Sequence, residues 1–489
     1  MKRCEVDREK LSPMMRQYLE IKDAYEDSII FFRLGDFYEM FFEDAVTAAH
    51  ELELTLTGKQ AGLEERVPMC GIPYKAYQAY LDKLVEKGYK VAIVEQMEDP
   101  KQTKDMVKRE VIQVVTKGTR LDSSIDAKSN QFVASLYDFE YCYVLTFADI
   151  STGKIYVMLL SHQEEHVLRS ITRYQFLEII ASTKVSRTLI NTLRTVYHIS
   201  VSIQDEVEED KSYQYLYQAL DDVRLMTGVK HLLYYFTSTK KGDLHHLQPA
   251  IVEQEKEHLL LDNHTKQNLE LTKTLRTQER VYSLLWLLDK NKTAMGSRLL
   301  KQSIESPLTN IKELQRRYDF VSKLQVEFIL RDDLKKSLSE VYDLERLAGR
   351  ICYGNLNARD MLQLKNSLKT LPTLAKILED LHYDKKIETF DELYALLEQS
   401  ICEDAPLSLK EGHLIKYGYD KTLDELQDIS TGSKDFLLEL ESKEKERTGI
   451  KTLKVGFNKV FGYYIEISKG QVPLLKDEFG YIRKQTLSN

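Results

Sequence analysis

Ile29-Ile30-Phe31-Phe32-Arg33-Leu34-Gly35-Asp36-Phe37-Tyr38-Glu39-Met40-Phe41 opens as a β-rich apolar run, meets a turn signal at Gly35-Asp36, and passes into a helical pattern. In that pattern Phe41, Ala45, Ala48 and Leu52 fall on one face. Strand, turn and helix in immediate succession are the grammar of an α/β domain. The neighbouring sequence agrees. A second helical pattern through Tyr77, Leu81, Leu84 and Val85 stops at Gly88, and the apolar runs 89–94 and 111–116 have the length of buried strands. Residues 1–120 therefore read as a small mixed-sheet domain.

Further along, the polar stretch 122–130 separates this domain from three strand-like runs, 132–139, 142–149 and 155–160, with turn signals between them and helical segments after. They define a second α/β domain over 121–250. From about residue 258 the apolar residues recur at helical spacing, with few Gly and Pro and with charges on the opposite faces, which predicts a long-helix scaffold or lever over 251–442. At Gly449 the pattern changes again. The runs 453–458 and 463–467 are β-branched and aromatic and bracket a turn at 460–462, so 443–489 is expected to carry a β-hairpin. The fold class is multidomain α/β plus all-α.

Composition bounds the function. Hydrophobic residues make up 43% and charged residues 30%, the mixture of a folded protein with solvated helices. No run of uncharged apolar residues has the length of a membrane span, and the start Met1-Lys2-Arg3-Cys4-Glu5 runs into charge, so a cytoplasmic location is expected. Cys4, Cys70, Cys142, Cys352 and Cys402 are scattered and read as reduced thiols. The net charge of −8 argues against nucleic acid until its distribution is read. From Lys443 to Asn489 ten Lys or Arg face five Asp or Glu, a local +5 that leaves −13 on the rest.

Residues 31–41 resemble the mismatch-reading segment of the MutS family of bacterial mismatch-repair proteins, whose hallmark is Phe-x-Glu just after Gly-Asp; here it falls on Phe37 and Glu39. Further blocks in the family's order are Pro13-Met14-Met15-Arg16-Gln17-Tyr18, Val67-Pro68-Met69-Cys70-Gly71-Ile72-Pro73-Tyr74 and Val91-Ala92-Ile93-Val94-Glu95-Gln96. Others are Ala148-Asp149-Ile150-Ser151-Thr152-Gly153, Met295-Gly296-Ser297-Arg298-Leu299-Leu300 and Lys454-Val455-Gly456-Phe457-Asn458. The resemblance covers nearly the whole chain. It implies a mismatch-recognition domain (1–120), a ribonuclease-H-like connector (121–250), a core and lever of helices (251–442) and an incomplete β-rich clamp (443–489).

The resemblance implies partners and cofactors as well: duplex DNA with mismatches or small loops, a MutL-type protein, a homodimer, and ATP with Mg²⁺ in the full-length family. The sequence has no Gly-x-x-x-x-Gly-Lys-Ser/Thr phosphate loop, because its two Gly-Lys pairs, Gly58-Lys59 and Gly153-Lys154, follow Glu53 and Ala148 where the first glycine should stand. No catalytic residue, metal or cofactor is therefore expected in this chain, which resembles the family up to the point where the ATPase would follow. The apolar residues Phe436, Leu437, Leu438 and Leu440 are expected to lie exposed on the helix entering the clamp.

These residue types suit the chemistry. An aromatic wedge between base steps costs unstacking energy, and less where the pair is already mismatched. A carboxylate beside phosphates is repelled and gains only by accepting a hydrogen bond from a base, so Glu39 would act as a discriminator. The plain alternative has Phe37, Phe41 and Ala45 lining a helix face with Glu39 solvated. Lys454, Lys459, Arg483 and Lys484 are candidates for sequence-independent contacts to the backbone.

Two other functions are open to the same residues. One is a DNA-binding or interaction module without mismatch preference. The other is a metal-dependent nuclease using Asp138 and Asp149 of the second domain. His245, His246, His258 and His264 lack the spacing of a hydrolytic zinc site.

Overall fold

The computed structural model describes residues 3, 6–63, 65–97, 107–119, 127–239, 243–253, 258–259, 261–354, 356–406, 409–458, 462–476 and 479–481. The chain divides into two compact units, Met1–Asp391 and Glu392–Asn489.

The first unit begins with α1 (Pro13–Ala24), β1 (Ser28–Leu34), β2 (Phe37–Phe41), α2 (Phe42–Leu52), β3 (Thr57–Lys59), β4 (Val67–Pro73), α3 (Tyr77–Glu86), β5 (Lys90–Gln96) and β6 (Arg109–Val115). The strands form one sheet in the order β3-β4-β2-β1-β5-β6, in which β1 and β5 run parallel and every other pair antiparallel. Alternate residues feed two cores. Phe31, Tyr38, Met40, Ile72 and Val91 pack with α2 and α3, whereas Ile30, Phe32, Phe41, Ala92 and Val94 pack with Met15, Tyr18 and Leu19 of α1.

The structure corrects one expectation here. Residues 37–41 are a strand, not the start of the helix, which begins only at Phe42. Gly35, at φ +56°, turns the chain back within two residues, so that Leu34 faces Phe37 and Phe32 faces Glu39. Phe41 misled the reading because it satisfies both periods: it continues the strand's alternation and lies four residues before Ala45.

Next come β7 (Phe132–Asp138), β8 (Cys142–Asp149), β9 (Lys154–Ser161), α4 (Glu164–Tyr174), β10 (Glu178–Ala181), α5 (Arg187–Thr195), β11 (Ser200–Ile203), α6 (Val223–Thr239) and β12 (Ile251–Val252). The sheet order is β11-β10-β7-β8-β9-β12. An antiparallel meander of β7, β8 and β9 is thus extended by β10 and β11, which run parallel to β7 through helical crossovers, the ribonuclease-H-like arrangement. The apolar strands are long because both faces are covered: Leu136, Leu145 and Ile179 face Val167 and Ile171 of α4 and Leu189 of α5, while Val133, Val144 and Ile180 face Val229 and Leu232 of α6.

The helical region is more broken than its periodicity suggests. It holds α7 (Asn263–Asn268), α8 (Leu284–Leu288), α9 (Ala294–Glu305), α10 (Ile311–Val326), α11 (Phe328–Ser339), α12 (Leu344–Cys352) and α13 (Ala358–Asp380). The interruptions have local causes. Asp262, Ser283, Thr293, Asn310, Asp343 and Asn357 each cap the backbone N–H of a following helix, and a cap residue restarts a helix rather than extending one. Arg298, 3% exposed, pins α9: its guanidinium donates to Asp343 (2.6 and 2.8 Å), to Glu345 (2.6 Å) and to the carbonyl of Ala127 (2.8 Å).

The second unit contains α14 (Asp391–Ser400), α15 (Lys421–Thr448), β13 (Lys454–Asn458) and β14 (Gly462–Glu466). The two strands form the expected antiparallel hairpin, with Lys454 opposite Glu466 and Asn458 opposite Gly462. Of the four apolar residues expected to lie exposed on α15, Leu438 is exposed, Leu437 and Leu440 are half-buried, and the side chain of Phe436 lies outside the described residues. No helix among the described residues is long and apolar enough to cross a membrane.

Candidate nucleic-acid interface

Strand geometry separates Phe37 from the aromatics around it. Tyr38, Met40 and Phe41 are at most 1% exposed, but Phe37 is 47% exposed. It shares a sheet face with Glu39 and Phe41. Helix α1 covers that face only toward Phe41, where Tyr18 meets Phe32 and Phe41 edge-on at 5.5 and 5.0 Å. Phe37 lies four residues further, roughly 13 Å along the strand, beyond the helix. With about half its surface exposed, the phenyl forgoes roughly 1 kcal/mol of burial. A face that leaves this uncollected has room for a partner.

The mount is firm. Phe37 pairs with Leu34 on β1 and with Pro73 on β4, so β2 has bonded neighbours on both sides. The backbone N–H of Tyr74 donates to the carbonyl of Asp36 at 2.8 Å, tying the turn to the end of β4. The guanidinium of Arg33 lies over the Tyr74 ring.

Glu39 stands two residues along on the same face. Its Oε2 accepts a hydrogen bond from Lys59 Nζ at 2.5 Å. Its strand partner on β4 is Gly71. A β-carbon at Gly71 would lie 3.6 Å from Glu39 Cγ and 4.0 Å from Phe37 Cδ1, so the missing side chain leaves a bare patch beside both. Sequence reading singled out Phe37 and Glu39 but neither Lys59, twenty residues away on β3, nor Gly71, which the structure places beside them. The second was within reach, because Gly71 lies in the quoted block Val67–Tyr74.

In the second unit Lys454 is exposed on β13. Lys459, Arg483 and Lys484 lie outside the described residues. Nearby cations have acidic partners: Lys445 pairs with Glu441 at 2.5 Å and Arg447 with Glu444 at 2.7 Å. Glu441 lies before the basic stretch, so its pairing with Lys445 offsets one charge of the local +5, whereas Glu444 is already counted in it.

The carboxylates of the nuclease alternative do not meet. Asp138 ends β7 and Asp149 ends β8, and because Phe132 pairs with Asp149 and Asp138 with Tyr143, the two lie at opposite ends of the hairpin. Six strand residues separate those ends by roughly 20 Å, too far for a shared metal. Each is used locally. Asp138 accepts from the Glu140 backbone at 2.6 Å and contacts His162 at 3.0 Å. Asp149 accepts from Ser151 N (3.0 Å), Ser151 Oγ (2.6 Å) and Gln131 N (3.1 Å), and its burial raises its pKa. Among the described residues no three His, Cys, Asp or Glu side chains form a group able to hold a metal ion. His246 contacts the carbonyl of Ile150 at 2.7 Å and His258 that of Ser306 at 2.9 Å.

A mixed-sheet domain with a proud aromatic, a ribonuclease-H-like domain and a capped helical array define a modular, multidomain class of chain. Comparison with known families makes the class specific. Models described as MutS domain I, MutS domain II and MutS domain III match residues 12–124, 131–248 and 264–476, and the chain belongs to the MutS family. It is similar to the DNA mismatch repair protein MutS of Bacillus cytotoxicus, with 47% identity over 486 residues, 98% of this chain and 54% of the relative. The proteins of the same name from Bacillus cereus and Bacillus thuringiensis are 45% identical over the same shares. The chain thus spans about half the length of the curated relatives it matches.

Proposed function

We propose that the chain recognises mispaired or looped duplex DNA, with Phe37 as the wedge that tests base stacking and Glu39 as the acceptor that reads the displaced base. The observation that carries this reading is the joint placement of Phe37 and Glu39 beside the bare surface of Gly71, on a strand paired on both sides. A flat ring beside a flat patch admits a base edge, and unstacking a mismatched step costs less than unstacking a paired one. Lys59 supports the role of Glu39. Its ammonium offsets the carboxylate's repulsion from phosphates while, among the described residues, Oε1 remains as an acceptor.

Lys454 and its neighbours on the hairpin are proposed to contribute sequence-independent contacts to the backbone, with affinity that falls as salt rises. Two copies are proposed to close around the duplex with one inserting its Phe37, and the connector's surface to receive a MutL-type partner.

The test is binding of the purified chain to a G·T-mismatched duplex and its matched twin across a salt series, with Phe37→Ala alongside. Preference for the mismatch that disappears in Phe37→Ala supports the reading. Equal, steeply salt-dependent binding to both duplexes rejects it in favour of a general DNA-binding module.

A further inference from the structure

A cavity of about 260 Å³ opens in the first unit, bordered by the end of α4 and by helices α7, α8 and α9. Its wall carries Lys128, Lys266, Lys273, Arg280 and Lys301. Among the described residues, Asp289 and Glu305 lie close to these cations. Asp289 pairs with Lys128 at 3.2 Å and with Arg280, and Glu305 lies close enough to interact with Lys266, Lys273 and Lys301. Burial raises the pKa of Glu305, which weakens it further as a counter-charge. Among the described residues, the five cations of the wall outnumber these two carboxylates.

The deepest cation shows what the cavity lacks. Lys266 is 6% exposed, and its ammonium donates to the carbonyls of Thr172 and Arg173 at 3.2 Å each, the last turn of α4. Burial lowers the pKa of Lys266, with Glu305 opposing the shift and Arg173 and Lys301 adding to it. Among the described residues, Nε of Arg280 is buried without a hydrogen-bond partner, as is Oε1 of Glu305. Five cations line the wall, and phosphate oxygens are acceptors suited to them. The volume falls below the roughly 300–1,000 Å³ of sites for drug-sized ligands, which fits a short phosphate chain better than a whole nucleotide.

We propose that this cavity is a binding site for a small diphosphate-type anion, either free pyrophosphate or the diphosphate of a nucleotide. The chain's single tryptophan, Trp286, follows Leu285 of the cavity wall and serves as the reporter. Its fluorescence is followed as the full 489-residue chain is titrated with pyrophosphate, ADP, sulfate and adenosine.

The expected result is a saturable change with pyrophosphate, roughly tenfold weaker with sulfate and absent with adenosine. Lys273 is exposed, so Lys273→Glu spares the fold and is expected to weaken pyrophosphate by about tenfold. Arg280→Gln, verified as folded by circular dichroism, is expected to do the same. ADP binding more tightly than pyrophosphate supports the nucleotide as the source, and the reverse supports the free anion. No saturable change at millimolar pyrophosphate, by fluorescence and by calorimetry, overturns the proposal. So does unchanged affinity in both variants. Mismatch binding by Phe37 is measured separately and is independent of either outcome.

Discussion

Glu39 and Lys59 are joined across a strand that separates them: Oε2 of the first meets Nζ of the second at 2.5 Å, with β4 lying between β2 and β3. The carboxylate side chain is 17% exposed and the ammonium 31%. A pair so placed is worth about 1 kcal/mol at most, so its interest lies in orientation more than in stability. It fixes where the carboxylate points on the face that Phe37 shares.

A double-mutant cycle of Lys59→Met and Glu39→Gln is expected to show a coupling of up to about 1 kcal/mol in stability at low salt, shrinking as salt rises. In DNA binding, Lys59→Met alone is expected to weaken the mismatched duplex several-fold, and the addition of Glu39→Gln to restore general affinity without restoring preference. Strict additivity in both readouts would show that the two side chains act separately.

Gly71→Val tests the bare patch. The β-carbon itself meets ordinary contact distances, 3.5 Å or more, and valine suits a strand, so the thermal midpoint should hold or rise by a few degrees. The γ-methyls, however, occupy the space beside Phe37 and Glu39. Preference for a G·T duplex is expected to fall by about tenfold, the scale of a lost transition of 1–2 kcal/mol. Preference intact in a folded Gly71→Val chain removes the patch from the recognition surface.

Arg298→Lys keeps the charge but not the planar fork that holds Asp343, Glu345 and the Ala127 carbonyl together. The site is nearly closed to water, and breaking such a network is expected to cost about 3 kcal/mol. Urea unfolding followed by circular dichroism measures it. A midpoint equal to wild type would mean that a lysine ammonium satisfies all three acceptors.

Asp289 sets a pH dependence. Burial alone would raise its pKa, but hydrogen bonds from Asn291, Ser297, Arg280 and Lys128 outweigh burial and hold the carboxyl well below its usual value of 3.8. A depressed carboxyl stabilises the fold at pH values above the unfolded pKa and loses that contribution as acid protonates it. Asp289→Asn is expected to cost about 2 kcal/mol at neutral pH. The gap in thermal midpoint between wild type and variant should stay constant down to about pH 5 and narrow below about pH 4. A gap that widens in acid contradicts the assignment.

The sequence made the second domain legible because its strands are buried on both faces and so read as unbroken apolar runs, of which β8, buried at every position, is the extreme. The hairpin of β13 and β14 was legible from its aromatic and β-branched residues. Phe37 and Glu39 were found through a family motif, but the element carrying them was misread, since Phe41 fits a strand and a helix equally. Lys59 was out of reach because its contact with Glu39 depends on strand order, which no local pattern encodes. The helical breaks were marked by Asn310, Asp343 and Asn357, residues that cap helices, yet a face-by-face count of apolar positions passes over such punctuation.

One consequence follows from the pairing of β2 on both flanks. Two bodies pressed together divide the deformation in inverse proportion to their stiffness. The strand beneath Phe37 is tied to Leu34 on one side and Pro73 on the other, so it yields little, and in the proposed encounter nearly all the yielding falls to the duplex. Phe37 then behaves as a hard indenter drawn over a softer material. What it registers is local compliance rather than the identity of any base.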